Sequence, residues 1–215
     1  MTTLRSAAIM LAVSLVLGGC ATTASYDYSA LRQHPPRSIL VLPPLNQSTA
    51  VEATCSYLST VTRPIAELGY YVFPVAVVDQ FFKENGMPTA GEMHQVPLDK
   101  VVKLMGADAV LYPTVLEYGS KYQLVSTVTT VSVVARLVDA RTGTLLWQGS
   151  GLARQDTNGS GNFVADLIAA AVVQAINTTG DAAHIVSRQA NDQLFHAPGR
   201  GLPYGPYRPQ YAREP

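Results

Sequence analysis

The sequence predicts a three-layer-like α/β domain, built on a mixed sheet with a parallel βαβα half, an antiparallel β-meander and C-terminal helices. Two observations carry this prediction. Strand and helix patterns alternate between residues 38 and 105, an order typical of a parallel sheet. A long two-residue alternation then extends from Tyr122 to Val138, which indicates antiparallel strands.

The parallel half begins with the apolar run 38–44, closed by two prolines, which predicts a buried strand. A helix is expected over residues 49–68, ended by Gly69, and Pro64 should kink or split it. Its apolar stripe is expected to face the core and consists of Val51, Cys55, Leu58, Val61, Ile65 and Leu68.

Three further elements complete this half. Residues 70–75 predict a second strand, and residues 76–85 predict a short helix. Residues 86–97 contain glycines and prolines, which interrupt regular secondary structure, and are expected to form an irregular insertion. A helix over 98–105 should end at Gly106.

The meander is expected to start with a strand over 109–118, where Pro113 requires an edge, a bulge or an unpaired position. A tight turn at 139–143 should lead into a partner strand over 144–149, anchored by Trp147. One face of the long middle strand should be buried, comprising Val125, Thr127, Thr129, Val131, Val133, Ala135 and Leu137, while the opposite face should be only partly covered.

The C-terminal part predicts a loop at 156–161, a helix over 162–177 with a broad apolar face, and a more polar helix that ends near Leu194. Residues 196–215 are rich in proline, glycine and tyrosine. We therefore expect a disordered or extended tail.

The N-terminus has the pattern of a secretory signal: Arg5 precedes an apolar segment over 7–17. As a helix, this segment would reach about 17 Å, which is short of the roughly 30 Å hydrocarbon core of a bilayer. The segment ends in Leu17, Gly18, Gly19 and Cys20, which resembles the lipobox of bacterial lipoproteins.

The lipobox resemblance implies a diacylglyceryl group on the Cys20 thiol, cleavage before that residue, and acylation of the new amino group, as with palmitate. Because stable anchoring takes two lipid chains, three would hold the protein permanently on the membrane. Ala21, rather than an aspartate, favours the outer membrane by the same resemblance. The predicted organisation is a signal peptide over 1–19, a lipidated tether over 20–36, and a periplasm-facing domain over 37–195.

Composition excludes several classes of protein. Basic and acidic residues number fifteen each, and charged residues make up only 14% of the chain. This balance provides no excess of basic residues for nucleic-acid binding and no polybasic run for anionic lipid. With Cys20 lipidated, Cys55 lacks an intramolecular partner for a disulfide. We expect Cys55 to be a small apolar core residue, the alternative being a reactive or intermolecular thiol.

No catalytic motif, Walker loop or dinucleotide fingerprint occurs in the sequence, so we expect neither an enzyme nor a cofactor. Glu92 and His94 form only a weak metal signal, because no histidine pair has zinc spacing, and no metal site is predicted. Residues 159–161 could offer backbone N–H groups to an anion, but a flexible linker is the preferred interpretation.

Three aspartates at turns or strand ends, Asp108, Asp139 and Asp156, are expected to bond to the local backbone. The tyrosines are more suggestive of function, because tyrosine suits protein interfaces. They group near the strands and in the tail, at Tyr70, Tyr71, Tyr112, Tyr118, Tyr122, Tyr204, Tyr207 and Tyr211. The alternative is that the strand tyrosines only cover a sheet edge.

Five blocks resemble a family of bacterial lipoproteins of unknown function, of the neisserial surface-antigen type; the blocks are 37–44, 69–74, 91–97, 106–111 and 135–147. The family is similar in fold to the periplasmic domains of TolB and of CsgG, the curli secretion channel. Its members occur beside CsgG-like lipoproteins. The resemblance implies a role in envelope assembly or transport and transfers a single site residue, Cys20.

The resulting hypothesis is an outer-membrane lipoprotein that acts through protein contacts, with a CsgG-like lipoprotein or a second copy of itself as partner. The alternative is a periplasmic binding module for a small ligand or glycan, with residues 86–97 as a lip and Glu92 and His94 as contacts. No nucleic acid partner is expected.

Replacing Cys20 with serine should remove every acyl chain and leave the domain folded. We therefore expect C20S to leave the membrane fraction in cell fractionation while keeping the wild-type melting temperature. Recovery of this variant in the membrane pellet would show that lipid is not the main attachment.

Overall fold

A computed structural model describes residues 26–123, 126–158 and 182–211. These residues form one mixed sheet with helices on both sides. The helices are α1 (Ser29–Gln33), α2 (Ala53–Glu67), α3 (Val75–Glu84), α4 (Ala90–Met93), α5 (Leu98–Met105) and α6 (Ala182–Phe195). The strands are β1 (Ser38–Val41), β2 (Leu45–Asn46), β3 (Tyr71–Val72), β4 (Ala109–Gln123), β5 (Ser126–Asp139) and β6 (Leu145–Asn158).

The strand order is β3-β1-β4-β5-β6, with β2 also paired to β4. Strand β1 is parallel to both β3 and β4, whereas β4, β5 and β6 form an antiparallel meander. The predicted parallel half and meander are therefore confirmed, and they join at β4. The helix predicted over 162–177 and the glycines at 159–161 lie outside the described residues.

Two apolar clusters hold the layers together. On one face of the sheet, α2 and α6 pack on β1 and on the inward side chains of the meander. On the other face, α3, α4 and α5 cover Leu40, Leu42 and Val110. The middle strand follows the predicted alternation, since Val131, Val133, Ala135 and Leu137 are all buried.

Pro113 lies in a gap of the parallel pairing. Strand β1 pairs with β4 as far as Leu111, and β2 resumes the pairing at Thr114. Because proline has no N–H to donate, it fits this position beside a central strand. The predicted unpaired position for Pro113 is thereby confirmed.

Several predicted element bounds are wrong. Helix α2 starts at Ala53 and continues through Pro64 to Glu67 without a split, because Pro64 lies in its last turn. The strand predicted over 70–75 is limited to Tyr71–Val72. The strand predicted over 109–118 extends to Gln123, and the next begins only at Ser126.

The partner strand predicted over 144–149 extends to Asn158, so the loop predicted at 156–161 begins later than expected. The predicted core position of Cys55 is also wrong. The Cys55 side chain is exposed, and Val51 lies before the helix with 90% of its surface accessible. Leu58, Val61, Ile65 and Leu68 are buried as predicted, and the stripe also contains Ala53, Tyr57 and Pro64.

Both terminal segments belong to the domain, contrary to the predicted tether over 20–36, disordered tail over 196–215 and domain limits of 37–195. In the first segment, Leu31 of α1 is buried in the main core. In the second, Leu202 is buried in the same core, and the Gly205 N–H donates to the Leu68 carbonyl at 2.8 Å. The folded unit spans residues 26–211 in the described parts of the chain.

The packing of Gly205 gives a test of this correction. A Cβ added there would lie 2.5 Å from the Gly69 carbonyl oxygen, so G205A should lower the free energy of unfolding by about 1–3 kcal/mol. Chemical denaturation measures the effect. The matched control is G91A, whose new Cβ lies 3.9 Å from its nearest neighbour and should be neutral or mildly stabilising. Equal stability of G205A and wild type would mean that the tail is not packed.

Candidate functional site

Glu92 and His94 both have structural partners. Segment 86–97 is not wholly irregular as predicted, because α4 forms within it behind a capping box. Thr89 accepts a hydrogen bond from the Glu92 N–H, and the Glu92 carboxylate accepts from the Thr89 N–H at 2.9 Å. His94 Nε2 lies 2.8 Å from the Pro43 carbonyl oxygen, and its ring meets Tyr112 edge-on. No group of three metal-ligating side chains occurs within the described residues.

The environment of His94 determines its protonation. The Pro43 carbonyl is an acceptor only, so Nε2 must carry a proton. Burial lowers the pKa of His94, and the charge of Arg136 acts in the same direction, while the hydrogen bond to Pro43 partly opposes them. The neutral ring is therefore favoured in the folded protein.

Asp139 bonds to the local backbone, as predicted, whereas Asp108 bonds to backbone that is distant in sequence. Asp108 accepts hydrogen bonds from the backbone of Arg37 and Ser38 at the start of β1, and from the Arg141 side chain at 2.9 Å. Asp139 accepts from the backbone N–H groups of Arg141 and Thr142 in the β5–β6 turn. Burial opposes ionisation of Asp139, but these bonds outweigh it and hold the pKa of the carboxyl below its usual value. Asp156 differs from the prediction, since it lies within β6 and not at a turn.

A serine and a histidine that the sequence analysis did not single out meet between α2 and α6. Ser56 Oγ lies 3.2 Å from His184 Nδ1 and is also bonded to the Tyr118 hydroxyl. His184 Nε2 lies 3.3 Å from the Arg188 guanidinium, which can only donate. In the neutral ring, Nε2 is thus the acceptor and Nδ1 carries the proton. A serine activated by histidine needs the opposite arrangement, with an unprotonated nitrogen facing Oγ.

A groove lies between the two terminal segments in the described part of the chain. It has a volume of about 830 Å³. Apolar and aromatic side chains form most of its wall, and they include Leu31, Pro36, Leu68, Tyr70, Leu202 and Tyr204. Arg32 and His196 also line it. We call this feature the terminal groove.

Side chains from the domain hold the C-terminal wall of the terminal groove through its backbone carbonyls. The Tyr28 hydroxyl donates to the Gly201 carbonyl at 2.7 Å, and the Tyr70 hydroxyl donates to the Pro203 carbonyl at 2.8 Å. Trp147 Nε1 donates to the Arg200 carbonyl at 3.0 Å. This wall is therefore fixed by three aromatic donors that are distant in sequence.

Arginine–tyrosine contacts occur in the segments that form the terminal groove. The Arg208 guanidinium lies 5.4 Å from the centre of the Tyr204 ring, and that of Arg37 lies 5.8 Å from the centre of the Tyr207 ring. The sequence analysis missed this site because the residues that form it are separated by about the whole length of the domain. The visible signal was the enrichment of both segments in proline and tyrosine.

The tyrosines proposed as interface residues whose side chains are described divide into buried, exposed and half-buried groups. Tyr70 and Tyr118 are buried, so they support the core and not a surface. Tyr71, Tyr207 and Tyr211 expose 51%, 59% and 40% of their surface. Tyr112 and Tyr204 are half-buried. Cys20 precedes the described residues.

The outer face of the meander is a second exposed surface, and we call it the meander face. Its residues on β6 are Ser150, Leu152, Arg154 and Asp156, all exposed, whereas α3, α4 and α5 pack over the parallel half. Ser132 and Val134 of β5 pair with β6 on the same face and are half-buried. The predicted partial covering of this face is confirmed for the described residues.

Strand β6 also forms an edge of the sheet. The Gln148 N–H points away from β5 and donates to the Tyr26 hydroxyl at 2.8 Å. Since hydrogen-bonding directions alternate along an antiparallel strand, Ser150, Leu152 and Arg154 direct their backbone groups to the same outer side. Among the described helices, none is long and apolar enough to cross a membrane.

Comparisons with known proteins agree with this architecture. The family model described as "Putative lipoprotein GNA1162-like" matches residues 26–207. The lipoprotein NMB1124/NMB1162 of Neisseria meningitidis serogroup B is 44% identical over 188 residues, which cover 86% of this chain and 87% of the relative.

A solved structure is also similar. The crystal structure of lipoprotein GNA1162 from Neisseria meningitidis is 48% identical and matches with a TM-score of 0.55, covering 66% of this chain and 99% of that chain. It supports the mixed α/β fold.

The lowered pKa of His94 predicts a pH dependence of stability. The unfolded chain binds a proton near pH 6.5 and the folded chain only at lower pH, so stability is fully present above about pH 6.5 and declines as the pH falls towards the folded pKa. Denaturation between pH 7.5 and pH 5 should show a smaller decline for H94Q, which lacks the titrating ring. H34Q, at a half-buried histidine, is the control. An unchanged decline in H94Q would contradict the assignment.

Proposed function

The chain belongs to the GNA1162-like family of lipoproteins, and from this premise we propose that it is a structural or accessory component of a cell-envelope assembly or transport complex. It acts through protein–protein contacts. Lipoprotein membership implies a membrane-anchored location in the envelope. Our finer proposal is attachment to the outer membrane through lipid on Cys20, with the domain facing the periplasm. The lipobox pattern and Ala21 support it.

The observation that carries the proposed contact role is the meander face together with the β6 edge. Leu152 exposes 52% of its surface between polar neighbours, and the adjacent backbone groups of β6 point outward. An exposed sheet edge can accept a strand from another chain, with main-chain hydrogen bonds supplying affinity. An apolar side chain beside such an edge adds buried area to the contact.

The proposed partner is a CsgG-like lipoprotein or a second copy of this chain. Arg154 and Asp156 lie two residues apart on β6 and carry opposite charges. An antiparallel pairing of two β6 edges centred on Gln155 would place each Arg154 opposite the partner's Asp156. This self-complementarity supports a homo-oligomer as one outcome of the test.

We propose no enzymatic activity for the described part of the chain. The Ser56–His184 pair has its proton on the wrong nitrogen for nucleophile activation, and Asp108 and Asp139 are engaged by backbone donors. The alternative function, a ligand module with residues 86–97 as its lip, loses its proposed contacts because Glu92 caps α4 and His94 faces Pro43.

Site-specific photocrosslinking in intact cells tests the contact role. A photoreactive residue at Leu152 should yield a discrete crosslinked species whose mass identifies a second copy or another envelope protein. Leu104 of α5 exposes 60% of its surface and serves as the matched control on the opposite half of the sheet. We expect the control to yield no such species.

Two results would contradict the proposal. Crosslinks of equal intensity from Leu152 and Leu104 would indicate non-specific collisions. A strictly monomeric product from both positions, in cells that carry the natural envelope, would remove the meander face as a contact surface.

A further inference from the structure

We propose that the end of the domain that carries the terminal groove is a lipid-binding face, which takes up an anionic phospholipid from the leaflet that holds the anchor. The phosphate of that lipid would lie against the arginines around the groove, and an acyl chain would enter the groove. The inference rests on the proposed lipidation of Cys20, and it adds an orientation and a ligand class to that anchor.

The length of chain between the anchor and the domain sets the first constraint. Only six peptide steps separate Cys20 from Tyr26. A fully extended chain of that length spans about 20 Å. Tyr26 is itself held in the domain, since its hydroxyl accepts from the Gln148 N–H and its ring lies 4.7 Å from the Tyr28 ring. The end of the domain at Tyr26 and Tyr28 therefore stays close to the membrane surface.

The charge of this end fits an anionic surface. Segments 26–37 and 196–211 contain four arginines and one acidic residue, a net charge of 4 − 1 = +3, in a chain whose total is zero. The arginines are Arg32, Arg37, Arg200 and Arg208, and the acidic residue is Asp27. The rest of the chain therefore carries −3. Folding brings these two segments together, since the Tyr28 hydroxyl donates to the Gly201 carbonyl.

The local acidic groups leave most of this charge available. Asp27 accepts a bond from the Ser29 N–H, and Asp108 is paired with the Arg141 side chain and not with that of Arg37. Asp192 lies 3.9 Å from His196, and its charge also acts on Arg63 of α2. Arg32, Arg37 and Arg200 are exposed. Basic residues at an anionic membrane surface each strengthen binding about fivefold.

The apolar parts of the face fit the same ligand. Tyr207 and Tyr211 are exposed there, and tyrosine is enriched at membrane interfaces because its ring and hydroxyl match the headgroup region. The groove wall combines leucine, proline and tyrosine carbons with Arg32. An acyl chain needs an apolar trough, and its phosphate needs a nearby cation. Both are present at this end.

The opposite end of the molecule points away from the bilayer. Strand β6 contacts Tyr26 at Gln148 and continues eight residues to Asp156, a distance of about 26 Å at 3.3 Å per residue. A reporter near Gln210 and one at Asp156 should therefore lie at very different distances from the headgroups. Both side chains are exposed, and Cys55 must be serine in both variants because its thiol is also exposed.

The experiment uses the full lipidated protein in vesicles. Environment-sensitive fluorophores are attached to C55S/Q210C and, separately, to C55S/D156C. The vesicles contain phosphatidylglycerol and phosphatidylethanolamine with a headgroup-spin-labelled lipid, or phosphatidylcholine with the same label. In the anionic vesicles we expect strong quenching at position 210 and little at position 156. Quenching at 210 should fall with added salt.

Arginine variants test the charge directly. R32Q/R37Q/R200Q should lower the effective affinity of this end for anionic vesicles by about tenfold or more. The loss is measured as weaker quenching at position 210. R63Q/R136Q/R188Q removes three exposed arginines from other surfaces and should leave that quenching unchanged. A fluorophore at Y211C, in the groove wall, should be quenched by a lipid that carries the spin label in its acyl chain.

Failure of this inference differs from failure of the anchor. If the protein does not remain with the vesicles, lipidation of Cys20 is wrong. If it remains, but positions 210 and 156 are quenched equally, the orientation is overturned. Equal quenching at position 210 in anionic and phosphatidylcholine vesicles would overturn the role of the arginines. If the spin label in the acyl chain does not quench the fluorophore at position 211, the groove is not an acyl-chain site.

Discussion

Burial of Trp147 is the interaction on which the arrangement of the domain depends. Its ring is fully buried on β6, stacks on Phe195 at the end of α6 with ring centres 5.7 Å apart, and donates through Nε1 to the Arg200 carbonyl. Gly149 lies against the same indole, where a Cβ would be 2.5 Å from the ring. One side chain thus joins the meander, the last helix and the C-terminal segment. Without it, the terminal groove would lose one wall.

This joint gives the molecule two distinct ends. One end, where β6 begins, contains the two terminal segments with their arginines and is the end proposed to face the lipid anchor. The meander extends away from this end. The division separates two proposed tasks that would otherwise compete for surface: lipid contact near the anchor and protein contact along the meander. Taken together, the two proposals would hold the sheet edge on one side of the membrane.

Local sequence patterns predicted much of the fold because their physical causes are local. Alternation of apolar residues identified the buried face of β5, and Gly106 and Gly143 marked the end of a helix and a turn, where positive φ favours glycine. Cys55 was misplaced because the apolar spacing around it fits two registers of the same helix. Packing of α2 buries Ala53 and Tyr57 beside Val61 and leaves Cys55 exposed. The lengths of β4 and β6 were underestimated because polar residues in edge ribbons carry little periodic signal.

By itself, the sequence determined the order of helices and strands, the mixed character of the sheet and the lipoprotein family. These properties follow from residue spacing, turn residues and short blocks of similarity. Tertiary structure alone decided that the two ends of the chain pack together and that Glu92 and His94 have structural partners. The physical reason is that such contacts join residues up to 173 positions apart, as for Tyr28 and Gly201. Composition made both ends look like solvated tails. In the fold, Tyr28, Tyr70 and Trp147 donate to three carbonyls of the C-terminal segment, and the Tyr26 hydroxyl accepts from β6.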